Sequence, residues 1–350
     1  MKAYGLIKRT SAAVLAVGMA IGMTGPVRAD AEHVIRFSHG MPETMESDQH
    51  AYAVVFKKIV ESESNGAIEV RILGNNSAGA EREQLEKVQA GINQMANVSE
   101  GTQHSFFKPA QVLSIPFLFS SNAVAWEVMD GWFGEKFNAA FLKDTGVRVL
   151  GHSESGFRSL FNSKRVIKSP KDLEGLKIRT MENPVHMAMM NGLGANPTPI
   201  SWTEVYTSLA QKVVDGMENP PGLFYLMKFY EHQKYLTVDR HLYSFHTTMI
   251  NEDFLRSLPK EYQGLVIRAG RMGLAAGRAA SIIKESIAIE QLKEQGIEVY
   301  YPTPDEYNQF RVGGRPPAEK FVRKQIGNEW VDDILKAISE AERKLSLDGM

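Results

Sequence analysis

Arg179 and Asn219 each stand where a short predicted strand of the chain ends. Arg179 follows the segment 176–178, and Asn219 comes directly before two prolines. Ligands of open α/β sheets bind at the carboxyl ends of strands, where the loops begin. A guanidinium there can hold a carboxylate through two parallel, charge-assisted hydrogen bonds, and an amide offers both donors and an acceptor. The two residues therefore predict a carboxylate-binding site.

Both residues also have a purely structural interpretation. Arg179 could form a salt bridge with Asp172 or Glu174, and Asn219 could simply make a turn, which is common where asparagine precedes proline. Position along the chain alone does not choose between these interpretations and ligand binding.

An aromatic residue lies between the two strand ends. The sequence Ser201-Trp202-Thr203-Glu204 matches a capping box, which predicts Trp202 in the first turn of a helix. Helix N-termini favour anions, so the indole is expected to form a wall of an acid-binding pocket. The alternative is a tryptophan packed beneath the turn.

No catalytic or cofactor motif is present in the sequence. The segment 151–156 resembles a G-x-S-x-G elbow, but its glycine spacing is wrong. There is no H-E-x-x-H, the nine histidines lack metal-ligand spacing, and Gly192-Leu193-Gly194 is not followed by the third glycine of a dinucleotide loop. The sequence therefore predicts a protein that is not an enzyme, with neither cofactor nor metal.

Composition and charge narrow the class of protein further. The 350-residue chain has no cysteine, and its 40 basic and 41 acidic residues give a net charge of −1, which argues against nucleic acid as a partner. Three basic residues precede the apolar segment 12–23, which is short for a membrane span, and 27–29 fits a small-x-small cleavage site. We expect residues 1–29 to be a signal peptide and the mature chain to be periplasmic, the alternative being an uncleaved membrane anchor.

Strand-like and helix-like segments alternate along the chain, which indicates parallel sheets covered by helices. The predicted strands are 34–38, 68–72, 95–98, 147–150, 156–162, 176–178, 213–214, 242–250 and 297–301. The clearest predicted helices lie around 52–60, 85–91, 265–292 and 334–345. A chain of this length is too long for one ordinary core, so the architecture expected is α/β with two lobes and a ligand in the cleft between them.

The chain resembles the substrate-binding proteins of TRAP transporters. The resemblance is carried by GLKIRT, GANPTPISWTEVY and DGMENP, and it extends from IRFSHGMPE through AGAEREQLEKVQAG and IPFLF to KFYEHQKYLT. It implies a two-lobe periplasmic binding protein fold, each lobe a mainly parallel sheet flanked by helices, with a long helix spanning the lobes. We expect lobe I to comprise 30–155 plus 245–284, and lobe II 156–244 plus 285–350.

The resemblance also implies roles for single residues. The arginine matching Arg179 grips the ligand's carboxylate in the family, and the matching asparagine and aromatic residue contact the ligand. Arg158 is a second cation that similar receptors turn into the cleft, with a surface arginine as the alternative. Glu100 matches a position that varies with the ligand and would favour hydroxyl or amine donors, unless it is solvated or pairs with Arg158.

Three further residues complete the predicted site. His39 lies in a loop that contributes contacts in the family, and Phe245 and His246 lie near a predicted strand end, although lone histidines are more often satisfied structural groups. The implied function is capture of a small organic acid and its delivery, by a monomeric receptor, to TRAP membrane permease subunits driven by an ion gradient. A periplasmic enzyme acting on acids, and a receptor of an ABC importer or a sensor, are the alternatives. The sequence does not name the acid.

Overall fold

The structure, a computed structural model, describes residues 31–348, so the predicted signal peptide lies outside the described residues. The strands are β1 (His33–His39), β2 (Ile68–Leu73), β3 (Met95–Ser99), β4 (Val147–Asn162), β5 (Lys177–Thr180), β6 (Asn196–Pro199), β7 (Gly216–Asn219), β8 (Tyr235–Asn251) and β9 (Glu298–Tyr300). The helices are α1 (Asp48–Glu63), α2 (Glu81–Gln89), α3 (Glu100–Gln103), α4 (Asn122–Asp130), α5 (Trp132–Thr145), α6 (Pro184–Gly192), α7 (Val205–Ala210), α8 (Pro221–Leu226), α9 (Glu252–Ser257), α10 (Lys260–Glu294), α11 (Pro304–Ile326) and α12 (Glu329–Asp348).

The strands form one mixed sheet in the order β2-β1-β3-β8-β4-β7-β5-β6, with β9 beside β8. At one end β2, β1 and β3 run parallel, and at the other end β7, β5 and β6 run parallel. The predicted α/β class and its two parallel sets are therefore confirmed. They belong to a single sheet because β4 and β8 pair antiparallel through its centre.

The two central strands are the main difference from the sequence prediction. β4 is one strand of 16 residues, where the sequence indicated separate strands at 147–150 and 156–162. Register shifts between Val149 and Gly151 and between Glu154 and Gly156 interrupt its alternation, and Gly156 has a φ of +121° that favours glycine. These bulges explain why a continuous strand looked like two.

The long helix α10 lies across the sheet and packs against α1 near its start and α8 further along, as expected of a helix that spans both halves. Its 35 residues extend over about 52 Å. Glycines allow the close approach to α1, since a Cβ on Gly273 would lie 2.8 Å from ring carbons of Tyr52. Within residues 31–348, no helix combines the length and apolar character that crossing a bilayer requires.

Two local predictions of secondary structure are wrong. Val213 and Val214 do not form a strand; they lie in the turn before β7, which begins at Gly216. Ser201 does not form a capping box: Trp202–Glu204 is a short 3₁₀ turn, and the Ser201 hydroxyl lies 3.4 Å from Thr203 Oγ1 instead of accepting from a backbone N–H. The six-residue helix α7 follows this turn.

Candidate functional site

A cavity of about 100 Å³ lies at the carboxyl ends of β5 and β7. The first turn of α2 and the segment 99–105 face these strand ends across the cavity. Of the residues singled out from the sequence, those lining the cavity are Arg158, Arg179, Trp202, Asn219 and His246. Glu100, His39 and Phe245 are not among the lining residues. The fold thus brings together predicted residues that are up to 88 positions apart in the sequence, the span from Arg158 to His246.

Arg179 is a buried cation without a carboxylate partner. It lies near the end of β5, where the backbone of Arg179 pairs with the neighbouring strand β7. Its Nε and Nη2 donate to the carbonyl oxygen of Ile200 at 3.0 and 2.7 Å, while Nη1 is buried without a partner. The predicted alternative, a salt bridge to Asp172 or Glu174, is not formed. Burial, and then the nearby Arg158, lower the pKa of Arg179 to about 10, so it stays charged at neutral pH.

Two further side chains in the lining have unused hydrogen-bonding atoms. Both amide atoms of Asn219, Oδ1 and Nδ2, are buried without partners, and so is the hydroxyl of Ser155. Ser155 comes just before the bulged Gly156, whose added Cβ would lie 3.2 Å from Pro220, the residue after Asn219. Buried polar atoms are nearly always satisfied in native proteins. These atoms therefore mark positions where a polar ligand or water is required.

Arg158 lines the same cavity, but its charge is paired with a carboxylate of the protein. It donates through Nε and Nη2 to both carboxylate oxygens of Glu218, and Nη2 also reaches the Glu218 carbonyl oxygen at 2.7 Å. Burial opposes the charge of Glu218, yet Arg158 and His241 outweigh it and hold the pKa of Glu218 well below its usual range. Burial likewise opposes the charge of His241, but Asp239 and Glu218 raise its pKa to about 9. The four groups form a buried network of alternating charge.

Trp202 forms one wall of the cavity, as predicted from the sequence. Its ring centroid lies 5.9 Å from the Arg179 guanidinium carbon, at the outer limit of a cation–π contact. Its other neighbour is Phe229, which packs edge-on at 5.5 Å. The indole therefore covers the arginine on one side and limits how far water can approach it.

His246 reaches the cavity from β8. Its Nδ1 lies 2.6 Å from Asp48 Oδ2, and Lys284 Nζ lies 3.7 Å from the other oxygen of Asp48. Burial disfavours the charged imidazole, but Asp48 outweighs it, and the pKa of His246 is raised. His246 is thus a positioned donor rather than a free base.

Glu81, which the sequence did not single out, is the carboxylate in the lining with the most hydrogen bonds. Oε1 accepts from the backbone N–H and the hydroxyl of Ser99 at 3.0 and 2.7 Å, and Oε2 accepts from Thr102 Oγ1 at 2.8 Å. The carboxylate fixes the segment after β3 against α2. Oε1 thus accepts two hydrogen bonds and Oε2 accepts one, which ties Glu81 to a structural role.

The remaining predicted residues, Glu100, His39 and Phe245, are buried but do not line the cavity. Glu100 accepts from Ser244 Oγ at 2.7 Å and has Oε1 3.7 Å from His186 Nε2, and burial, which outweighs Arg158, raises its pKa to about 7. His39 Nε2 lies 3.2 Å from His50 Nδ1. Phe245 is fully buried in the main hydrophobic core. None of these side chains offers the cavity a contact, and their ligand-binding roles stay predictions.

Besides Glu81, sequence reasoning missed Ser155, which lines the cavity, and Glu218, which pairs with Arg158. Glu218 carried a signal, because an acid inside a short apolar strand needs a buried cation. Ser155 carried none, since it sits at the bulge within a long strand. Among the described residues, no group of three or more His, Cys, Asp or Glu is arranged to hold a metal ion.

Comparison with known proteins agrees with this architecture. The family described as bacterial extracellular solute-binding protein, family 7 (DctP) matches residues 37–325. A solute-binding protein of Verminephrobacter eiseniae (strain EF01-2) is 34% identical over 324 residues, which cover 92% of this chain and 95% of that protein. These matches extend over nearly all the residues that the structure describes.

Two solved structures are similar over most of the chain. The sugar acid binding protein DctPAm from Advenella mimigardefordensis strain DPN7T, in complex with galactonate, has a TM-score of 0.84 at 31% identity and covers 88% of this chain and 98% of its own. A TRAP periplasmic solute binding protein from Polaromonas sp JS666, bound to D-erythronate, has a TM-score of 0.81 at 31% identity, with coverages of 87% and 98%.

Proposed function

Because the chain belongs to the bacterial extracellular solute-binding proteins of family 7, the substrate-binding proteins of TRAP transporters, we propose that it captures a small organic acid through Arg179. The observation that carries this proposal is the buried Arg179 guanidinium, which lines a polar cavity, has no carboxylate partner and keeps one nitrogen, Nη1, without a hydrogen bond. A ligand carboxylate would supply the missing negative charge.

The neighbouring residues suit this role. Asn219 would contact the carboxylate or an adjacent hydroxyl, Trp202 would exclude water from the ion pair, and Arg158 would contribute a positive wall held in place by Glu218. Glu81, a carboxylate in the lining, already accepts three hydrogen bonds and holds the segment after β3 in place. This structural role favours a binding protein over an enzyme that uses Glu81 as its base.

Closure around the acid would couple binding to transport. The expected boundary between 30–155 and 156–244 falls at Gly156, where β4 is bulged and the backbone has a positive φ. Bending there would move the two halves of the sheet relative to each other, and a ligand that contacts both halves would stabilise the closed form. In this proposal the closed periplasmic monomer delivers its acid to TRAP membrane permease subunits.

Thermal melting against a panel of organic acids and matched neutral amides tests the proposal. The protein is first unfolded in guanidinium chloride, dialysed and refolded, so that any bound acid is removed. An acid present at about 100 times its Kd adds roughly 2.7 kcal/mol to the folded state, which raises Tm by several degrees. Shifts with acids in the wild type and none in Arg179→Met support the proposal. Equal shifts in both proteins would contradict the role of Arg179.

A further inference from the structure

We propose that the acid bound in this cavity carries a single carboxylate and at least one hydroxyl close to it. This inference rests on the proposed function, in which Arg179 binds the carboxylate. It goes further by assigning the rest of the ligand from the charges and the unsatisfied atoms of the lining.

The charges of the lining argue for one carboxylate rather than two. A second buried carboxylate would need a second cation. Apart from Arg179, however, the arginines in the lining and His246 already have carboxylate partners within the protein. Arg158 is paired with both oxygens of Glu218, His246 with Asp48, and the exposed Arg82 with Glu86 at 3.1 Å. His104 Nδ1 lies 2.7 Å from the carbonyl oxygen of Gly101. Glu81 and the exposed Glu182 add negative charge to the same lining, so a dianion would meet repulsion.

The unsatisfied atoms argue for a hydroxyl. A carboxylate only accepts hydrogen bonds, so it can satisfy Arg179 Nη1 and the amide nitrogen of Asn219 but not the amide oxygen. Rotating the Asn219 amide by 180° would exchange Oδ1 and Nδ2. Because both atoms lack partners, an unpaired acceptor would remain in either orientation. A ligand hydroxyl can donate to Asn219 Oδ1 and accept from Ser155 Oγ. An acid without hydroxyls leaves a buried acceptor unpaired, which is costly.

The size of the cavity is consistent with a compact ligand. A volume of about 100 Å³ holds only a few water-sized groups. A short hydroxylated chain would fill this space with polar atoms, and both Asn219 and Ser155 line it.

A two-by-two series of acids with equal carbon number tests the charge and the hydroxyl separately. At four carbons the probes are butyrate, 2,3,4-trihydroxybutyrate, succinate and tartrate. At six carbons they are hexanoate, galactonate, adipate and galactarate. Kd is measured by calorimetry on refolded, ligand-free protein. At one of the two chain lengths, we expect the hydroxylated monocarboxylate to bind at least about tenfold more tightly than each of the other three acids with the same number of carbons.

The variant Asn219→Leu tests whether Asn219 is the residue that recognises the ligand hydroxyl. It should lower the affinity for the hydroxylated monocarboxylate about tenfold or more and change the affinity for its deoxy partner much less, while the exposed Asn191→Ala changes neither. Should Asn219→Leu fail to fold, the wild-type series alone decides. Equal affinity for deoxy and hydroxylated acids, or tighter binding of the matching dicarboxylate, would overturn this inference and leave the proposed function intact. Failure of every acid to bind the refolded protein would overturn both.

Discussion

Two buried arginines lie beside one cavity and differ in what balances them. Arg158 is held by both oxygens of Glu218, whereas Arg179 donates only to the carbonyl oxygen of Ile200 and keeps Nη1 unused. A buried charge is stable only when it is paired. Arg158 is therefore paired within the protein itself, while Arg179, in the proposed function, is paired by a ligand. Substitutions on the two sides of the cavity test this division.

The largest effect is expected from removing the partner of Arg158. Glu218→Gln takes the negative charge from between Arg158 and His241 and leaves two buried cations facing each other. Breaking a buried pair costs about 3–5 kcal/mol, and we expect a value near the upper end because two cations lose one partner. Urea unfolding of the ligand-free protein measures this loss. A change in the free energy of unfolding below about 1 kcal/mol would show that the network is not structural.

Removing Arg179 should have the opposite effect: it should weaken binding of the acid and change the stability of the ligand-free protein little. Arg179→Met takes away a buried charge that nothing balances, so the free energy of unfolding without ligand should not fall by more than about 1 kcal/mol. Affinity for the acid should fall by roughly 3–5 kcal/mol, which is on the order of a hundredfold to several-thousandfold. Arg179→Lys should also bind poorly, because a point charge cannot make the two-pronged contact. Wild-type affinity in either variant, measured by calorimetry, would refute the assignment.

The free energy of unfolding should also depend on pH, because His241 belongs to the charged network around Arg158 and Glu218. The folded-state pKa of His241, about 9, lies above its unfolded value of 6.5. Its contribution is therefore complete below pH 6.5 and is lost as the pH rises through 9, by an amount on the order of 3 kcal/mol. Burial also raises the pKa of Glu100 and Glu285 to about 7, so their losses are nearly complete by about pH 8.

The window from about pH 8 to 9 consequently reports mainly the histidine contribution, which His246 shares because its pKa is also raised. His241→Asn should flatten part of the decline measured by urea unfolding across this window. An unchanged slope in the variant would mean that His241 is not charged in the folded protein.

The smallest effect is expected from an arginine that resembles Arg179 in its contacts but not in its surroundings. Arg165 also donates to carbonyl oxygens, those of Asp172 and Glu174, both at 2.9 Å, but it is exposed. Arg165→Met should change both affinity and the free energy of unfolding by less than about 0.5 kcal/mol. A loss of acid binding in this variant would show that replacing an arginine has effects unrelated to the cavity.

The fold class and the central pair of site residues could be predicted because they depend on local pattern. Alternating strands and helices indicate the parallel sets at the two ends of the sheet, and Arg179 and Asn219 stand at strand ends by position alone. The unbroken sheet could not be predicted in the same way. Bulges in β4 interrupt the alternation that marks a strand, and only pairing with β8, far away in the sequence, restores it.

The predictions for single side chains depended on contacts that the sequence does not encode locally. Arg158 and Arg179 have the same residue type and both lie on strands, yet only the three-dimensional structure shows that Glu218 pairs with one of them. Ser201 failed as a cap because its hydroxyl points to Thr203. Local patterns thus located the site, and long-range contacts determined which of its groups remain available.

The central position of β8 has a consequence for how the chain folds. β3 and β4 both pair with β8, and the β4 residues that pair with it are roughly 70 to 100 positions away along the chain. A chain that ends before Tyr235 can form the strand sets β2-β1-β3 and β4-β7-β5-β6, but no strand pairing joins the two sets. The two sets therefore become one sheet only after β8, at the start of the last third of the chain, has been synthesised, and until then each set exposes an open strand edge that is prone to aggregation.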